Sequence, residues 1–136
     1  MKKNIINKDI LDKIKKYKWN SKKPTAQMLG RFQPWHEGHQ KLFESILKKT
    51  GQVYIMVKNV HGLDDNPFNF KKVKSNIDSA LKNFKNHYKV VLVPNISTIC
   101  YGRTVGYKIE KITLSKKIQN ISATKIRSDL RKKGKL

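Results

Sequence analysis

Two histidines three positions apart, His36 and His39, stand around Gly38 within the decapeptide Gly30-Arg-Phe-Gln-Pro-Trp-His-Glu-Gly-His39. Imidazoles suit phosphate chemistry. A neutral ring donates one hydrogen bond and a protonated ring adds charge, and both can act on an oxygen that grows more negative during reaction. Gly38 removes the side chain between them, so that backbone and anion can approach, and it lets the free amides and positive dipole end of a following helix face that anion. Paired histidines also occur at zinc, but the other candidate ligands, His61, His87 and Cys100, stand at no recognisable spacing. No metal ligands are expected in the chain.

A second constellation is Ile121-Ser122-Ala-Thr124-Lys125-Ile-Arg127. Ser122 is a good helix N-cap, yet Lys125 and Arg127 fall in the first two turns, where the helix dipole favours carboxylates. A bound polyphosphate reverses that sign. The chain holds 31 Lys and Arg against 9 Asp and Glu, a formal net charge of +22, so its partner is expected to be anionic. Lysine, asparagine and isoleucine are abundant throughout, so a lysine at any one place says little. Arginine is scarce: only Arg31, Arg103, Arg127 and Arg131 occur, and the first three lie in or beside the segments of interest. Where lysine is the default cation, an arginine suggests a need for its planar, multi-donor fork.

These residues need elements to hold them. Ile6, Ile10, Ile14 and Tyr17 recur at helical spacing and predict one N-terminal amphipathic helix over 5–17, ended by Asn20 to Pro24. Thr25 to Leu29 suits a buried first strand, and Gly30 opens the loop carrying the decapeptide. A helix from about Gly38 to Thr50 follows, with Leu42, Phe43, Ile46 and Leu47 on one face and Gly51 as its stop. Val53 to Val57 predicts a second strand, and the polar stretch 59–69 a long loop around Asn66-Pro67-Phe68. Phe70, Val73, Ile77, Leu81 and Phe84 predict a helix packed on the sheet. Val90 to Val93 gives a third strand closed by Pro94, Tyr107 to Leu114 a weaker strand-like segment, and Ser122 to Lys132 a last helix.

Strands alternating with helices imply βαβ units and a parallel sheet, with ligands bound beyond the carboxyl ends of the strands. At 136 residues there is room for one compact domain. The expected division is an N-terminal helical extension at 1–24, the α/β domain at 25–132 and a basic, solvated tail at 133–136, with Arg131 to Lys135 read as a frayed end.

The decapeptide resembles the HxGH signature of the nucleotidylyltransferase superfamily, and Ile-Ser122-Ala-Thr124-Lys-Ile-Arg127 resembles its second signature, ISxTxxR; their order and separation of about 80 residues match as well. The form Gly-Arg-Phe-Gln-Pro, followed by Asn66-Pro67-Phe68, is most similar to the archaeal-type nicotinamide mononucleotide adenylyltransferases within it. The resemblance implies a Rossmann-like parallel sheet of about five strands with flanking helices. It implies a catalytic set of His36, His39 and Arg127, with the histidines at the α-phosphate and transition state. Nucleotide contacts are implied from Gly30, Arg31, Phe32, Gln33, Gly38, Ile121, Ser122 and Thr124. The chain departs from that subfamily in being shorter after the third strand and in the segment Tyr101 to Tyr107.

The acceptor pocket is therefore sought among Trp35, Asn66 and Arg103. Trp35 either stacks on a base or anchors its loop in the core. Arg103 is a solvated turn residue or a contact to acceptor or triphosphate. The implied partners are a nucleoside triphosphate and a phosphorylated small molecule, nicotinamide mononucleotide foremost, with Mg²⁺ held mainly by the triphosphate and water. An attacking phosphate is largely a dianion at neutral pH, so no general base is required.

The competing class is a non-catalytic nucleotide sensor or a basic nucleic-acid-binding module. The charge favours it, but no nucleic-acid motif or aromatic stacking pattern appears, so nucleic acid is expected to bind only non-specifically. A single cysteine, Cys100, excludes an intrachain disulfide and fits a reducing compartment. No apolar run approaches the roughly 20 residues that span a bilayer, and the first residues lack the apolar core of a signal peptide. A cytoplasmic protein without membrane contact is the expectation. The N-terminal stripe either covers part of the sheet or meets another subunit in a homo-oligomer.

Overall fold

The computed structural model describes residues 16–103 and 106–136. The N-terminal helix expected over 5–17 lies almost wholly outside them. Three strands, β1 (Ala26–Gly30), β2 (Val53–Lys58) and β3 (Tyr88–Val93), form one sheet in the order β1-β2-β3 with both pairs parallel. Ala26, Met28 and Gly30 stand opposite Val53, Ile55 and Val57, and the same β2 residues stand opposite Tyr88, Val90 and Leu92. The period of two puts this whole set on one face.

That face is covered by α1 (Glu37–Thr50) and α2 (Phe70–Ala80). Val53, Ile55, Val57, Phe43, Val73, Ile77 and Leu81 are buried between them, with Met28 beside them on β1. α1 stops where Gly51 adopts φ 79°, the left-handed conformation that glycine takes without steric cost, and donates its N–H to Leu47 O. α2 begins at Asn69, whose Oδ1 accepts from Lys72 N–H at 2.9 Å. It ends sooner than the spacing predicts, at Ala80. Leu81 caps it and a 3₁₀ turn over Lys82–Phe84 still presents the Phe84 ring to Phe43 at 5.5 Å.

The base of the sheet is fastened by Gln52, which is fully buried. Its Oε1 accepts from Tyr17 OH and Asn20 N–H, and its Nε2 donates to Asn20 O and Thr25 Oγ1. Residues 17–25 thereby belong to the body of the domain, although the sequence places most of them in an extension.

Five strands are not formed: the described residues make three. Tyr107 to Leu114 is not a strand. Tyr107 and Ile109 are exposed and Ile112 alone reaches the core cluster. The step of three from Ile109 to Ile112 moves the apolar residues onto opposite faces of any strand drawn through them, so no single register buries both. An ion pair between Lys49 and Glu110 at 2.9 Å holds this segment against the end of α1 instead.

The chain closes with α3 (Lys116–Gln119) and α4 (Ala123–Lys132). The expected frayed end is ordered. Lys135 N–H donates to Leu130 O and Gly134 N–H to Arg131 O, with Gly134 at φ 70°, a Schellman closure of α4. No helix among the described residues is long and apolar enough to cross a membrane.

Candidate functional site

Because all three strands run parallel, the loops after β1 and β2 emerge at one edge of the sheet. Gln33 binds them together. Its side chain is buried, donates through Nε2 to Phe68 O at 2.8 Å and accepts at Oε1 from Phe68 N–H at 2.9 Å. It thus replaces the ladder that two loops cannot make, and its amide is spent on the protein itself.

The loop after β1 turns back on itself at Phe32, which has φ 53°, and the Gln33–Pro34 peptide is cis. The Phe32 ring lies over Gly30 so closely that a Cβ there would sit 2.8 Å from its Cζ. Phe32, Trp35, His39 and Phe43 form an aromatic cluster, with Trp35 at 5.2 Å from Phe32 and 5.4 Å from His39 between ring centroids. Trp35 is buried and its Nε1 donates to Gln40 Oε1. Of its two sequence readings, the structure places it as the anchor of the loop.

His36 is the N-cap of α1 and His39 its third residue. His36 Nδ1 accepts from Gly38 N–H at 3.0 Å, and His39 Nδ1 accepts from His36 N–H at 3.1 Å, a capping box written in imidazoles. The rings stack with centroids 3.9 Å apart. With each Nδ1 accepting, each neutral ring carries its proton on Nε2 and is a donor there. Burial lowers the pKa of His36, and burial together with the neighbouring His36 lowers that of His39 to about 3. Gly38 has a reason the sequence does not show: a Cβ there would meet the His36 ring, 2.7 Å from Cε1.

The second motif opens α4. Ser122 Oγ accepts from Lys125 N–H at 3.3 Å, and Ile121, half-buried, donates its N–H to Ile118 O across the turn from α3. Arg127 is buried, with its side chain 7% exposed. Its Nη1 donates to Gln33 O at 2.6 Å, its Nη2 to Thr124 Oγ1 at 3.3 Å and its Nε to Asp65 Oδ2 at 2.8 Å. A guanidinium has five N–H groups, so two remain. Arg131, one turn later, also pairs with the Asp65 carboxylate, and the two guanidiniums hold the Asp65 pKa down to about 2.

The structure therefore joins Gln33, Thr124, Arg127, Asp65 and Arg131, and separately His36, Gly38, His39 and Phe32. It does not bring Arg31 or Arg103 into either group: both side chains are exposed and without an ion pair among the described residues. The Arg103 carbonyl accepts from Tyr107 OH, and residues 104 and 105 between them lie outside the described set. Asn66 is buried, its Nδ2 donating to Leu63 O while its Oδ1 has no partner among the described residues.

Two further members of the Arg127 group, Asp65 and Arg131, belong to neither sequence motif. Their only signal is compositional, an acidic residue in a chain nearly without them and the fourth arginine one turn beyond the third. No three of His, Cys, Asp or Glu converge as metal ligands among the described residues. No protein-family model and no curated protein matches the chain.

Proposed function

We propose that the protein is a nucleotidylyltransferase, moving a nucleoside monophosphate, AMP from ATP in the first instance, onto a phosphorylated small molecule and releasing pyrophosphate. One observation carries this reading. Arg127 donates to the carbonyl of Gln33 across 94 positions of chain, so the second motif is tied to the loop that carries the first.

The chemistry follows from the groups present. A phosphate oxygen of the acceptor attacks the α-phosphorus, the bond from that phosphorus to the bridging oxygen breaks, and pyrophosphate leaves with the electron pair. The Nε2–H groups of His36 and His39, at the N-terminus of a fourteen-residue helix, suit an oxygen gaining charge. The spare N–H groups of Arg127 suit the leaving phosphates. Neither histidine is arranged as a base, in keeping with an attacking dianion. Mg²⁺, when bound, would be held mainly by the triphosphate and water and would offset part of the charge that repels the nucleophile. The described residues form no carboxylate cage for it, and Asp65 is committed to two arginines.

Triphosphates paired with nicotinamide mononucleotide, sugar phosphates and other phosphorylated acceptors, with Mg²⁺ present and pyrophosphate as the readout, test the proposal. Turnover with one pair, lost in Arg127→Ala, is expected. Absence of pyrophosphate from every pair overturns it.

A further inference from the structure

Arg127 and Arg131 stand one turn apart on α4 and converge on a single carboxylate, Asp65, from the loop after β2. In a chain of net charge +22 two adjacent guanidiniums attract an anion strongly. Here the chain supplies one itself. The Asp65 side chain remains 44% exposed and that of Arg131 47%, so the pair is open to exchange with ions in solution, whereas Arg127 is pinned by Gln33 O and Thr124 Oγ1 and stays where it is whichever anion it holds.

Asp65 is carried by a loop built to present it. Asp64 has φ 46°, a left-handed conformation that side chains other than glycine rarely adopt, and Gly62 has φ 87°. The loop is otherwise tied down by Asn66 and by Gln33 at Phe68. The Asp65 side chain reaches α4.

We infer that Asp65 is an internal counter-anion seated where the terminal phosphates of a polyphosphate bind, and that such a ligand displaces it from Arg127 and Arg131. This rests on the transferase reading only for the identity of the natural ligand, a nucleoside triphosphate. A carboxylate brings one negative charge, whereas the end of a polyphosphate brings two or more with several acceptor oxygens, so it satisfies both guanidiniums better. The consequence is a threshold: the latch gives way to polyphosphates and excludes carboxylates and weaker monoanions, which matters for a domain this basic.

The test is calorimetric titration of the full chain with sodium tripolyphosphate, comparing the natural protein with Asp65→Asn and Asp65→Glu. Removing the competing charge is expected to tighten tripolyphosphate binding about tenfold in Asp65→Asn, while Asp65→Glu, which keeps the charge, stays within a few-fold of the natural protein. Unchanged or weaker binding in Asp65→Asn, or absence of binding in both, overturns the inference. The two proposals fail separately. Tighter tripolyphosphate binding without pyrophosphate release from any substrate pair removes the transferase reading alone, and release with unchanged Asp65→Asn affinity removes the counter-anion alone.

Discussion

His36 donates its backbone N–H to His39 Nδ1 while its own Nδ1 caps Gly38, so each histidine is at once a structural cap and a donor through Nε2–H. The two roles can be separated by mutation. Asparagine caps helices as well as any residue, whereas alanine does not, so His36→Asn keeps most of the stability and His36→Ala loses about 1 kcal/mol. Both variants are expected to lose pyrophosphate release by at least about 100-fold, the size of one lost transition-state donor. Urea unfolding beside turnover measures the two effects. Equal stability of the two variants would show that His36 is not the cap.

Burial and the stacked neighbour hold His39 neutral down to about pH 3. A histidine whose folded pKa lies below its unfolded value of 6.5 binds more protons when unfolded, so its contribution to stability is whole above pH 6.5 and is lost as pH falls toward 3. Thermal midpoints are therefore expected to fall steadily between pH 6.5 and 4, and His39→Gln to flatten that slope. In NMR titration the His39 ring should show no protonation step between pH 5 and 8. A step near 6.5 would mean that the ring is solvated.

The elements bordered by strong local signals were legible in the sequence. The β1 and β2 runs, the stripe Phe43 and Ile46, Gly51 as a stop and Ser122 as a cap all stand within a residue or so of expectation. What escaped was long-range. Gln52 and Gln33 look like any polar residues, yet each is buried because partners 27 or more positions away along the chain complete its hydrogen bonds. Tyr107 to Leu114 reads as a strand because β propensity is local, but a strand also needs a neighbouring edge in register. At the site, the histidines and Arg127 were visible as types at a spacing. Asp65 was not, since its ion pairs depend on where the loop after β2 and helix α4 meet and not on either sequence alone.

Gly38 tests whether the site is set by packing. In Gly38→Ala the new methyl group must displace the His36 ring, whose Cε1 and Nδ1 would lie 2.7 and 3.0 Å from it, nearer than Ile118 O at 3.8 Å. The cap would break and the stacked pair with it. We expect a loss of about 1 to 2 kcal/mol in stability, mostly the cap, and a fall in turnover far larger than that stability loss explains. Preserved turnover would mean that the ring position is immaterial to the chemistry.

Gln33→Leu keeps the volume of a buried residue but strips both hydrogen bonds from Phe68, leaving its N–H and C=O without partners. Buried orphan groups cost about 1 to 3 kcal/mol each. Unfolding midpoints should fall accordingly, and faster amide exchange at residues 62–68 should accompany the fall, because the loop after β2 would lose its main tie to the loop after β1. Unchanged exchange there would show that the other ties of the loop, those of Asp65 and Asn66, suffice to hold it.

Arg127→Lys distinguishes a fork from a charge. The guanidinium reaches three partners in three directions, Gln33 O, Thr124 Oγ1 and Asp65 Oδ2, and a single ammonium on a flexible stem cannot reproduce that geometry. Lysine would keep the positive charge and the pairing with Asp65 while releasing Gln33 O. Since the positive charge survives, a purely electrostatic role predicts nearly normal affinity for tripolyphosphate and normal turnover. Positioning by the fork predicts retained affinity within a few-fold but turnover reduced by about 10- to 100-fold, as misplacement of a binding group reduces it. The ratio of the two measurements, and not either alone, decides between them. A variant with both properties intact would remove Arg127 from the catalytic set and leave it as a structural bridge between the two motifs.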